Sequence, residues 1–119
     1  MELNILDKSD SWLTIIDKLR EEHDEALTAI NNLYEFIIRE PNPPSANNIL
    51  LYDAFTHDAS SELLDIIQVA IGALDKLRED GLDIFSEVRI HNKKLKDRDW
   101  YTKGVLYMQL TMLNRRKID

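Results

Sequence analysis

Glu21, Glu22, Asp24 and Glu25 crowd into a short stretch of this chain, and Glu62 and Asp65 form a second acidic group further along. In an α-helix, residues three apart share a face, with about 5–6 Å between their Cβ atoms, so Glu22 pairs with Glu25 and Glu62 with Asp65. Brought together on facing helices, the two pairs would surround one or two hard cations. Carboxylates gathered in a partly desolvated groove repel one another and take up protons unless a cation offsets their charge. Magnesium is the first candidate, because it prefers oxygen ligands and sits between a few carboxylates and a substrate's phosphates. Manganese is the alternative ion.

Each acidic group also has a plainer explanation. With 31% of the residues charged, acid pairs at helical spacing arise on exposed faces. Glu62 would also suit the first turn of a helix, where the macrodipole favours acids. Asp65 shares an angular position with Gln68, Gly72 and Asp75, as on an ordinary polar face.

These residues must be positioned by helices. Ile15, Leu19, Ala26, Ile30, Leu33 and Ile37 recur at spacings of three and four, predicting a long amphipathic helix from about Ser9 to Arg39. Pro41, Pro43 and Pro44 would end it. A short helix over Asn47 to His57 is predicted next. Asp58, Ser60 or Ser61 could then cap a third helix, with Leu63, Leu64, Ile67, Ile71 and Leu74 on its apolar side and Gly81 at its end. A fourth helix is predicted from about Asp83 to Arg98. The tail is rich in Leu and Met, which fits a further helix better than an alternating strand. The expected class is all-α: a four-helix-bundle-like domain over residues 1–119, with its core at about 9–100 and a helical tail at 101–119.

Composition sets further bounds. A chain of 119 residues can bury a working core, and without cysteine it has no disulfide, thiolate metal site or cysteine nucleophile. No apolar run is long enough for a membrane span, and no secretory leader is visible, so a cytoplasmic protein is expected. The formal charge of -7 argues against nucleic acid as a partner. Cations gather late in the chain, at Lys93, Lys94, Lys96, Arg98, Lys103, Arg115, Arg116 and Lys117. Lys94 and Arg98 share a helix face at i and i+4, so both could reach one phosphate chain. The plainer reading of this run is a solvated helix end. His91, on the stripe Ile84, Val88, His91 and Leu95, is expected to be packed and hydrogen-bonded, and Trp12 and Trp100 to serve a core or an interface.

Taken in order, these motifs resemble the all-α nucleotide pyrophosphohydrolases, the MazG-like group related to dimeric dUTPases and phosphoribosyl-ATP pyrophosphohydrolases. The resemblance lies in Glu21-Glu22-His23-Asp24-Glu25, in Glu62-Leu63-Leu64-Asp65 with the apolar run after it, and in Asn92-Lys93-Lys94-Leu95-Lys96-Asp97-Arg98. It implies that Glu22, Glu25, Glu62 and Asp65 hold magnesium and that Asn92, Lys94 and Arg98 hold phosphates. It also implies cleavage of a nucleoside triphosphate into monophosphate and pyrophosphate, with Glu21 or Glu25 as general base. The longer-than-usual spacer between Glu25 and Glu62 departs from the family's pattern, and the tail has no counterpart in it. A homodimer or tetramer is expected from the apolar tail and from the resemblance. The rival class is a non-catalytic acidic helical protein that binds or inhibits a partner, motivated by the net charge.

Overall fold

The computed structural model describes residues 1–40, 45–114 and 117–118. Among them the secondary structure is three helices, α1 (Trp12–Arg39), α2 (Ala46–Glu79) and α3 (Ile84–Asp97), with no strand. The all-α expectation holds. Two compact units are distinguished, Met1–Ala73 and Leu74–Asp119.

The first unit pairs α1 with most of α2. Helix α1 starts where Ser11, in extended conformation, accepts a hydrogen bond at Oγ from the Thr14 backbone N–H (3.1 Å). That satisfies one of the donors a helix N-terminus leaves without an intrahelical partner. Arg39 closes the helix, and Glu40 turns back to extended backbone. Pro41, Pro43 and Pro44, read as the stop, lie outside the described residues. The helices run antiparallel, because partner numbers fall on α2 as they rise on α1. Phe36 meets Phe55 and Tyr52 at ring-centroid separations of 5.4 and 6.3 Å, and Asn48 Nδ2 donates to Glu40 Oε1 at 2.6 Å. The leading segment is tied on by Gln68 Nε2 donating to the Asn4 carbonyl at 2.7 Å.

Among the described residues the buried apolar ones are Ile15, Ala26, Ala29 and Ala59. Three of the four are alanines, which lets helix backbones approach closely. The predicted stripe of α1 is divided by this choice of face. Ile15 and Ala26 are buried and Leu33 is half-buried, whereas Leu19, Ile30 and Ile37 are exposed. On α2 the inward side is carried by Phe55, Ala59, Glu62 and Ile66; of the predicted apolar side, Leu63, Leu64, Ile67 and Leu74 are exposed and Ile71 is half-buried.

Two further expectations are corrected. The separate helices read over Asn47–His57 and from Asp58 onward are one 34-residue helix, α2, and Asp58, Ser60 and Ser61 lie in its middle. Ser60 Oγ donates to the His57 carbonyl at 2.9 Å, so a side chain read as a cap is satisfied inside the helix. The tail is not helical: residues 101–114 form neither helix nor strand. Gly104 interrupts that stretch, and so short a segment gains too little from its own hydrogen bonds to offset the cost of nucleation.

In the second unit, α2 ends at Glu79 with Gly81 at φ 105°, where Gly81 N–H donates to Arg78 O (2.9 Å) and Leu82 N–H to Leu77 O (3.0 Å). This paired closure is the Schellman arrangement, which requires a left-handed residue after the helix. Asp83 then caps α3, accepting from the Ser86 hydroxyl (2.7 Å) and from the Phe85 and Ser86 backbone N–H groups; these bonds hold its carboxyl below the usual range. Helix α3 closes as α2 does, with Asp99 N–H donating to Lys96 O and Trp100 N–H to Leu95 O, but here the left-handed position (φ 60°) belongs to Asp99. His91, expected to be packed, is exposed, and so are Trp12 and Trp100.

The two helix ends make opposite predictions. Gly81→Ala should destabilise by about 1 kcal/mol, since its Cβ would meet no neighbour and only the backbone conformation is penalised. Asp99→Gly should stabilise by about 0.5 kcal/mol by relieving the same strain. Urea denaturation of both variants checks the pair, and equal effects of the same sign would contradict it.

Candidate metal centre

Helix α1 carries Glu22 one turn before buried Ala26, and α2 carries Glu62 one turn after buried Ala59, so both carboxylates sit on the faces that the helices turn inward. Glu25, one turn along from Glu22, joins them. Carboxylate oxygens of Glu22, Glu25 and Glu62 all lie within 4.8 Å of one another. Glu22 and Glu62 are half-buried, and Glu25 is exposed.

Two observations bear on what this group can hold. Glu22 Oε2 and Glu62 Oε2 are buried and have no hydrogen-bond partner. A buried acceptor left without a donor is costly, and a cation supplies what is missing. The second observation is electrostatic. Desolvation pushes the Glu22 carboxyl above its ordinary range, with repulsion from Glu25, Asp65, Glu21 and Glu62 adding to it. Glu62 is likewise raised by desolvation first and then by Glu25, which also shares a hydrogen bond with it, and by Asp65 and Asp58. Three hard oxygen donors with unmet charge fit magnesium or manganese, which take such ligands and fill their remaining positions with water or phosphate oxygens.

The sequence-predicted residues divide into three sets. Glu22, Glu25 and Glu62 come together. Asp65 is exposed and stands outside the 4.8 Å group, although its charge acts on both Glu22 and Glu62. Glu21 is exposed and adds to the repulsion on Glu22. Asn92, Lys94 and Arg98 belong to the second unit, at α3 and its C-cap, and all three are exposed. Lys93 is paired with Asp97 at 2.7 Å, while Lys94 and Arg98 make no ion pair among the described residues. Arg115 and Arg116 lie outside the described residues.

Beside the carboxylates runs a groove of about 510 Å³, lined by Glu25 and Glu62 at one end and by Thr28, Asn32, Phe55 and Asp58 beyond them. Sequence reasoning missed Asn32, Phe55 and Asp58 as site residues. The signal was present in the spacing, since Asn32 lies two turns after Glu25 and Phe55 two turns before Glu62, on the same helix faces.

The raised carboxyls predict a pH dependence without metal. The folded state binds protons at Glu22 and Glu62 more tightly than the unfolded chain, whose carboxyls titrate near 4.5. Stability should therefore be free of this penalty below that value and should fall as pH rises through the folded-state pKa values. Glu22→Gln should make the metal-free protein more stable than wild type at neutral pH, with the difference vanishing in acid. Thermal melts across pH in the presence of chelator check this, and a variant less stable at neutral pH would contradict it.

Compared with family models, with characterised proteins and with solved structures, the chain has no match.

Proposed function

We propose that this chain is a magnesium-dependent nucleoside triphosphate pyrophosphohydrolase of MazG-like type, working in the cytoplasm. The observation that carries the reading is the meeting of Glu22, Glu25 and Glu62 with two buried oxygens that have no partner. Glu22, Glu25 and Glu62 would hold the ion, with Asp65 beside them contributing charge. A bound divalent cation supplies charge neutralisation of phosphate oxygens and a more acidic water.

The chain's own residues supply the rest. The carboxylates are fixed on two long helices, so little reorganisation accompanies binding. Asn92, Lys94 and Arg98 are the proposed phosphate-binding residues, with the two cations on one face of α3. With Glu25 among the ligand carboxylates, Glu21 takes the proton as a water oxygen bonds to the α-phosphorus. The bond from that phosphorus to the bridging oxygen breaks, and pyrophosphate leaves with the electron pair. Positioning and electrostatics account for most of the acceleration in such transfers.

A homodimer or tetramer completing a four-helix-bundle-like core accompanies this reading. It is supported by the exposed apolar side chains of both long helices, including Ile30, Ile37, Leu63 and Ile67, since patches of this kind mark interfaces.

Three measurements test the proposal. Magnesium with a nucleoside triphosphate should raise the melting temperature, and the products should be monophosphate and pyrophosphate. Indifference to both would favour the acidic binding protein instead. Glu22→Gln should abolish turnover in a folded protein, while Lys94→Ala and Arg98→Ala should each weaken nucleotide affinity by about tenfold and leave magnesium affinity unchanged. Light scattering during size exclusion should give a multiple of the 13.9 kDa chain mass, and a monomer would refute the assembly.

A further inference from the structure

The groove beside the triad has a composition that sorts the parts of a ligand. Among the described residues its lining contains no Lys or Arg, Asp24 and Asp58 flank it, and Arg39 borders only the adjoining hollow beyond Asn32 and Phe55. Anionic phosphates are repelled there, so a nucleotide's uncharged end is what this stretch admits. Asn32 stands two turns, ~10 Å along the helix axis, from Glu25, the scale of the sugar and base that follow a phosphate chain. Phe55 stands the same distance from Glu62 on the antiparallel partner. A groove volume of about 510 Å³ falls within the range of small-molecule sites.

Three side chains give this end its chemistry. Phe55 offers an aromatic surface and is held by Phe36, whose ring lies 5.4 Å away at 47°. Stacking on such a surface suits any planar base. Asn32 carries both donors and an acceptor, and its carboxamide makes no hydrogen bond among the described residues. Asp58, one turn from Phe55 on α2, offers acceptors only when ionised. An acceptor-only group favours a base edge that presents an amino group, such as cytosine N4 or adenine N6, over uracil or thymine, whose O4 at that edge is itself an acceptor.

We infer that the Phe55–Asn32–Asp58 stretch of the groove is a nucleobase site selective for bases bearing an exocyclic amino group. The inference rests on the reading of the triad as the phosphate end of a nucleotide site. Phe55 stacks the ring, Asp58 accepts from the amino group, and Asn32 pairs with the adjoining edge.

Phosphate-free probes separate this inference from the hydrolase reading. Cytidine, adenosine and uridine are titrated without metal into the isotope-labelled full chain, into the millimolar range, and amide shifts are followed by NMR. Cytidine and adenosine should perturb Thr28, Asn32, Phe55 and Asp58 and bind at least about fivefold more tightly than uridine. Asp58→Asn, an exposed and near-isosteric change, should bring the three nucleosides within about twofold of one another, as the new amide can also donate to O4. Glu22→Gln should keep the preference, because it alters only the ion's end of the site. Uridine binding as tightly as cytidine to wild type would overturn the inference, as would shifts that fall outside the groove or none at all. A nucleoside preference without any response to magnesium would uphold the base site and overturn the hydrolase.

Discussion

The burial of Ala26, Ala29 and Ala59 on the inward faces of α1 and α2 is the constraint on which the rest of the first unit depends. Small buried residues let two helix backbones pack where larger ones would hold them apart, and the carboxylates one turn away are carried inward with them. Glu22 and Glu62 then lose solvent before they gain partners, which raises their carboxyls and leaves an oxygen of each unsatisfied. Hydrophobic burial elsewhere must offset that cost in the metal-free state. A helix pair built for stability alone would place leucine at these positions.

The same packing decides which side chains are left outside. Turning alanine and glutamate inward exposes part of the apolar stripe on α1 and the Leu63, Leu64 and Ile67 side of α2. Among the described residues only four hydrophobic side chains are buried, a thin core for helices of 28 and 34 residues. A chain arranged in this way gains stability from whatever covers its exposed apolar surface and from whatever neutralises its acidic cluster. Ligand and partner are thereby linked to folding through mass action.

Much of this was legible in the residues, and the remainder was hidden for identifiable reasons. The end of α1 at Arg39, the stop at Gly81 and the start of α3 near Asp83 were readable, because each rests on local chemistry that the sequence displays. The pairing of Glu22 with Glu25 followed from helical spacing, whereas its meeting with Glu62 depends on the alanine-bearing faces that the two helices turn inward. Asp65 stands outside the 4.8 Å group because spacing fixes which residues share a face but not how far the helix rotates about its contact. The division of α2 at Asp58 to Ser61 failed because Asp and Ser are capping residues by type, yet the helix continues through them. The tail's Leu and Met content reads as helix, but composition supplies no packing partner. Asn32, Phe55 and Asp58 were overlooked because none is unusual alone, and only their register with the glutamates makes them neighbours.

The claim that Glu22, Glu25 and Glu62 form a cation site is tested most directly by X-ray diffraction from crystals grown with manganese and measured for its anomalous signal. The account predicts an anomalous peak within bonding distance of all three carboxylates, at about 2–2.2 Å from their oxygens, as for hard oxygen ligands. Density showing Glu62 bonded to Glu25 as a shared-proton acid pair, with no manganese between the helices, would contradict it.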